Sequence, residues 1–141
     1  MKTYILFALS ILLSYSVSAQ ERGQRHQKIQ SAKVAHITER MELTPAQAER
    51  FWPVYNEYQN KRRELHRLTN PRRQGITAEI SETQAKAWLE KKLDAKEREL
   101  DLDKKYLPLL IETTSARQVM ALENAEREFR GMLLQRLRGR K

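Results

Sequence analysis

Apolar positions recur three or four residues apart along four stretches of the chain, and no stretch shows the strict alternation of a strand. In the first stretch, Ile29 to Met41, the residues Ile29, Ala32, Lys33, His36, Ile37 and Met41 fall near one stripe. That face is weakly apolar and predicts a helix that needs a partner to be stable. The second stretch begins at Pro45 and carries Ala48, Phe51, Trp52, Tyr55, Tyr58, Leu65 and Leu68 in helical register. Pro53 inside it predicts a kink, and Asn70-Pro71 predicts its end. Residues 70–80, with Arg72, Arg73 and Gly75, read as a polar loop. The third stretch follows Ser81 and predicts a long helix with Ala85, Trp88, Leu89, Leu93, Leu100, Tyr106, Leu107 and Leu110 on its buried stripe; Pro108 should kink or end it. The fourth follows Ser115, with Val119, Leu122, Ala125, Phe129, Met132, Leu133 and Leu137 on the most regular stripe of the four. The expected class is all-α, with one helical domain over residues 29–138. The polar run 20–28 predicts disorder, and residues 139–141 form a basic tail.

The helix starts are punctuated alike. Thr44-Pro45-Ala46-Gln47, Ser81-Glu82-Thr83-Gln84 and Ser115-Ala116-Arg117-Gln118 each place Ser or Thr three residues before Gln. In this capping box the hydroxyl accepts from the backbone N–H of the third helical residue, and the Gln side chain accepts from the N–H of the cap. Pro45 stands at the first helical position, where its missing N–H costs nothing, and Leu43 is placed to staple onto the first turn. On the polar faces, Asp94 with Arg98, Asp101 with Lys105, Glu123 with Arg127 and Glu126 with Arg130 have favourable spacing for ion pairs.

Residues 1–19 read as a cleavable secretory leader: Lys2, an apolar run from Tyr4 to Val17, then Val17-Ser18-Ala19 as a small-residue cleavage site. Cleavage is expected after Ala19, which places the protein in a periplasm. The chain has no Cys, which excludes disulfides and thiolate metal sites. Of 27 Lys and Arg only Lys2 lies in the leader, so 26 face 18 Asp and Glu and the exported form carries a formal +8. Such charge ordinarily points to nucleic acid, but an exported protein does not routinely meet it. Acidic peptides, unfolded chains and anionic envelope surfaces remain as partners.

Leu43-Thr44-Pro45-Ala46-Gln47 resembles the LTxxQ motif of the Spy/CpxP family of periplasmic stress proteins. Thr114-Ser115-Ala116-Arg117-Gln118 resembles the second copy, with Thr114 for Leu and Ser115 for Thr. The stretches 51–57 (FWPVYNE) and 126–130 (EREFR) resemble a divergent branch that includes heavy-metal-sensor-like proteins. The likeness covers most of residues 29–138. It implies four helices in a thin, extended, hairpin-like arrangement, pairing as an antiparallel, cradle-shaped homodimer with a basic concave face. It also implies an ATP-independent chaperone for unfolded proteins, or a partner of a membrane stress sensor. The alternative is a metal-responsive regulator of an extracytoplasmic signalling system.

Leu43, Thr44, Gln47, Ser115 and Gln118 are therefore the structural motif. Phe51, Trp52, Tyr55, Tyr58 and Trp88 lie on helical stripes, where core packing is the ordinary use of aromatics. Phe51 and Trp52 point about 100° apart, so one of them can face a client. Lys61, Arg62, Arg63, Arg67, Arg72 and Arg73 form a dense basic set whose ordinary use is a solvated face. The candidate client- or partner-binding residues are Phe51, Trp52, Tyr55, Tyr58, Arg62, Arg63, Arg67 and Trp88. His26, His36 and His66 are the only imidazoles, and no two share an i, i+4 pair; no metal ligand is assigned and no cofactor is expected. Without a Gly-rich phosphate loop, a G-x-S-x-G turn or a Cys nucleophile, the chain does not read as an enzyme.

Overall fold

The computed structural model describes residues 23–71 and 79–139. These residues form four α-helices and no strand: α1 is helical over residues 23–40, α2 is Pro45–Leu68, α3 is Glu82–Thr113 and α4 is Ala116–Arg138. The leader, Arg72, Arg73, Arg140 and Lys141 lie outside the described residues. Helix α1 begins earlier than its apolar pattern: residues 23–28, expected to be disordered, are helical and exposed. Gln24, Arg25, Gln27 and Lys28 are straight-chain residues that lose little rotamer freedom in a helix, so the packed turns beyond them can be extended.

Two of the boxes close as their spacing predicts. Gln47 N donates to Thr44 Oγ1 at 3.3 Å while Thr44 N donates to Gln47 Oε1 at 3.1 Å. At Ser81 the corresponding distances are 3.3 and 3.0 Å. Pro45 occupies the first turn of α2. Both helices run on through their internal prolines, Pro53 and Pro108. Pro108 therefore does not end α3. The helix stops five residues later, where the hydroxyls of Thr113 and Thr114 both donate to the Leu110 carbonyl at 2.8 Å. Between α1 and α2, Glu42 adopts a left-handed φ of 52°.

The described residues divide into two compact units: residues 41–71 with 79–123, and residues 23–40 with 124–139. In the first, α2 and α3 form an antiparallel helical hairpin. Partners descend α3 as they ascend α2: Glu57 with Tyr106, Tyr58 with Asp103, Arg62 with Glu99, and His66 with Glu99. Its fully buried large side chains are Met41, Phe51, Tyr55 and Tyr106, joined by Leu43, Ala95, Leu110, Val119 and Leu122. Burial of that apolar area is the main favourable term for such a unit. In the second unit α1 meets the later turns of α4, where Ile37, Ala125 and Phe129 are buried.

The expected stripe of α3 is corrected. Ala95, Tyr106 and Leu110 are buried, whereas Leu89, Leu93, Leu100 and Leu107 are exposed. At about 100° per residue the two sets lie roughly 110° apart around the helix. α2 covers the sector of Ala95 and Tyr106, and the leucine sector lies beside it, uncovered. On α4, Val119, Leu122, Ala125 and Phe129 are buried as the pattern predicts, but Met132 and Leu137 are exposed. Two ion pairs also differ from expectation. Lys104, not Lys105, reaches Asp101 at 3.5 Å, and Arg127 donates to Asn124. Asp94–Arg98 at 3.0 Å and Glu126–Arg130 at 3.8 Å form as spaced.

Candidate functional site

The first and third capping boxes meet. Gln47 Nε2 donates to Gln118 Oε1 at 3.1 Å, and Gln118 Nε2 donates to Gln47 Oε1 at 3.2 Å. Gln118 Nε2 also donates to the Met41 carbonyl at 3.1 Å, and its Oε1 accepts from Ser115 Oγ at 2.9 Å. The Ser115 hydroxyl still caps the helix by accepting from Gln118 N at 3.3 Å. The Gln118 carboxamide, however, points across to α2. One reciprocal amide pair thus ties the start of α4 to the start of α2. Ser81 and Gln84 make their box alone, within α3.

The aromatic candidates divide. Phe51 and Tyr55 are core: they are 0% and 2% exposed, and their rings stack at 5.3 Å. They are one turn apart on the face that α2 buries, so they are withdrawn as client contacts. Trp52 lies on their flank, half-buried and edge-on to both rings at 5.1 and 5.4 Å. Tyr58 is half-buried, stacks on Tyr106 at 5.4 Å and donates to Asp103 at 2.5 Å. Trp88 is half-buried; Lys92 Nζ lies 5.2 Å from its ring centroid, and its indole N–H has no hydrogen-bond partner among the described residues.

The basic candidates divide as well. Arg62 is half-buried between Glu99, at 3.0 Å, and the Tyr58 ring, with its guanidinium carbon 5.4 Å from the centroid. It therefore serves the helix–helix contact first. Arg63 is exposed and donates to Asn60, and Arg67 is exposed. A cleft of about 140 Å³ beside them is lined by Leu65, His66, Thr69, Lys92, Ala95, Lys96 and Glu99. Its one carboxylate already serves Arg62 and His66. No nucleophile paired with a base lines it.

Two carboxylates are tuned by their neighbours. The Tyr106 hydroxyl donates to Glu57 at 2.5 Å, and chiefly this bond holds Glu57 below its ordinary value. Burial, then the Glu57 bond, pushes Tyr106 up to about 12. In the other unit Arg40 grips Glu128 through two bonds of 2.7 and 2.6 Å, and this contact lowers Glu128. His36 Nε2 lies 3.5 Å from Glu128 Oε2 without hydrogen-bond alignment, and its ring is 5.9 Å from Phe129. His36 thus faces α4. Among the described residues no group of three or more His, Asp or Glu is arranged to hold a metal ion, and no helix is long and apolar enough to cross a membrane.

Sequence reasoning missed an exposed apolar row on α3. Leu89, Leu93, Leu100, Leu107 and Ile111 fall within about 40° of one another around α3 and are all exposed, Leu93 by 62%. The row extends about 33 Å along the helix axis. Lys86, Glu90, Glu97 and Lys104 edge it on one side, with Lys96 and Asp103 on the other. The seven-residue interval from Leu93 to Leu100 to Leu107 was visible in the sequence; its being uncovered was not. No protein-family model, no curated protein and no solved structure matches the chain.

Proposed function

We propose that the protein binds unfolded or misfolded polypeptide without ATP, outside the cytoplasm, as a homodimeric envelope-stress protein of the Spy/CpxP kind. The observation that carries this reading is the uncovered leucine row of α3. Folded monomers rarely leave a long contiguous apolar surface in water. Side chains of both signs along the row keep it soluble and give a bound segment polar contacts at its edges. Apolar contact supplies affinity without fixing a sequence, as a binder of many unfolded chains requires. Trp52 and Trp88, each half-buried, and the exposed Arg63 and Arg67 extend the same surface chemistry on the hairpin.

The test is aggregation of a denatured client followed by light scattering, with and without divalent metal and in the absence of ATP. Suppression is expected in both conditions and should fall several-fold in Leu93→Gln/Leu100→Gln, whose substituted positions are exposed and whose melting temperature should stay near that of the parent. Absence of suppression, or suppression indifferent to these substitutions, overturns the reading. Suppression that appears only with metal would transfer the protein to the metal-responsive class. Sedimentation of the same samples tests the dimer: a monomer throughout removes that part of the proposal and leaves the row to the client.

A further inference from the structure

The end of α4 has a different chemistry from the leucine row of α3. After Glu128 the chain contains no acidic residue, but it holds Arg130, Arg136, Arg138, Arg140 and Lys141. Interleaved with them are Met132, Leu133, Leu134 and Leu137. Leu134 is 56% and Leu137 65% exposed, and Met132 is exposed as well. Around the helix, Leu133, Leu137 and Leu134 occupy a sector of about 100°, bounded by Arg136 on one side and Arg138 on the other. Neither of these arginines has a carboxylate within ion-pair distance among the described residues. Arg130 lies inside the apolar sector one turn earlier, reaching back to Glu126 at 3.8 Å; its long stem can lie along apolar surface while its head stays in a polar layer.

We propose that this last part of α4 docks on an anionic phospholipid surface. Leu133, Leu134 and Leu137 enter the boundary between headgroups and acyl chains, and Arg136 and Arg138 meet lipid phosphates on either side. A short helix with an apolar sector between cations is the form that lies in such an interface. Charge selects this occupant. The row on α3 is edged by both signs and suits polypeptide, whereas the sector on α4 is edged by cations alone and meets its complement in an anionic leaflet. A second copy of this segment would bring five cations against five.

Each cation held near an anionic leaflet is worth about fivefold in partitioning. Neutralising three should therefore cost roughly a hundredfold by the same scale. The purified protein is sedimented with vesicles of phosphatidylglycerol mixed with phosphatidylcholine, and with vesicles of phosphatidylcholine alone. Binding to the anionic vesicles only is expected. Arg136→Gln/Arg138→Gln/Arg140→Gln should lose it, Leu134→Ser/Leu137→Ser should weaken it by about a hundredfold, and Arg50→Gln/Arg98→Gln/Arg117→Gln should keep most of it. Far-UV circular dichroism confirms that each variant is folded. Equal loss in the two arginine triples would show attraction by net charge and overturn the assignment. Binding that survives the Arg136 triple, or that ignores the leucine changes, overturns it too. A leucine variant that alters the protein's own sedimentation without vesicles, leaving vesicle binding intact, would assign the sector to self-association instead.

Discussion

Replacing Gln118 by Met keeps length and approximate volume while removing every polar atom of the side chain. Three bonds to other segments are lost: two to Gln47 and one to the Met41 carbonyl. Each intramolecular hydrogen bond contributes a net of about 1 kcal/mol, and groups left unpaired out of water cost more. Gln118 and Gln47 are only half-buried, so water can recover part of what the variant leaves unpaired. The expected loss is about 2 kcal/mol. For a chain of this size that corresponds to a fall in melting temperature of about 8 °C. Urea unfolding followed by circular dichroism at unchanged slope gives the free energy directly. A double-mutant cycle with Gln47→Met should show coupling of about 1 kcal/mol, as directly contacting residues do. Gln84→Met, in the box that stands alone, supplies the comparison: it should cost its own helix start but show no coupling to Gln118. A loss below about 0.5 kcal/mol at Gln118, or additivity with Gln47, would refute the view that the amide pair joins the two helix starts.

Phe51→Ala should cost about 3–5 kcal/mol in urea unfolding, whereas Leu93→Ala, on the uncovered row, should cost under about 1 kcal/mol. Glu42→Gly should raise stability by about 0.5–1 kcal/mol, because a left-handed φ strains any side chain with a Cβ. Glu57 and Glu128 are both held below their ordinary values, so the stability they add is present above the unfolded carboxylate range and lost as pH falls through their lowered values. The urea midpoint should therefore decline on acidification, and less steeply in Glu128→Gln. Tyr106 is raised, so its share is complete below its unfolded value of 10 and lost as pH rises from there towards about 12; Tyr106→Phe should flatten the alkaline decline.

Helix number and type, and the starts of α2, α3 and α4, were legible because period and caps are local: Thr44 and Ser81 close the boxes that their spacing predicts. Periodicity does not say which sector of a long amphipathic helix its neighbour covers. On α3 an apolar position could belong to either of two sectors: Leu93, expected inside, is exposed, and Ala95, which the expected stripe left out, is buried. The helical residues 23–28 were missed for a related reason, since their polar composition carries no apolar period, yet packed turns follow them directly. The aromatic candidates were chosen by type, and type alone does not separate Phe51, wholly inside, from Trp52 beside it. The meeting of Gln47 and Gln118 is a long-range contact between two local motifs, and spacing within each motif carries no word of the other.

Ordered by sequence separation, the contacts between segments nest like brackets. Arg62–Glu99 spans 37 residues, Tyr58–Asp103 45, Tyr106–Glu57 49, Gln47–Gln118 71, Gln118–Met41 77 and Arg40–Glu128 88. Each inner bracket, once formed, leaves only a short length of chain to be ordered before the next can close, although each outer loop taken alone would be long. Assembly is therefore expected to advance from the α2–α3 contacts outwards, like a zip, with opening in the reverse order. Amide hydrogen exchange should accordingly be slowest around Tyr58 and Tyr106 and quicken through Gln118 to α1. On that order the contacts between α1 and α4 should open while the hairpin that bears the leucine row stays intact.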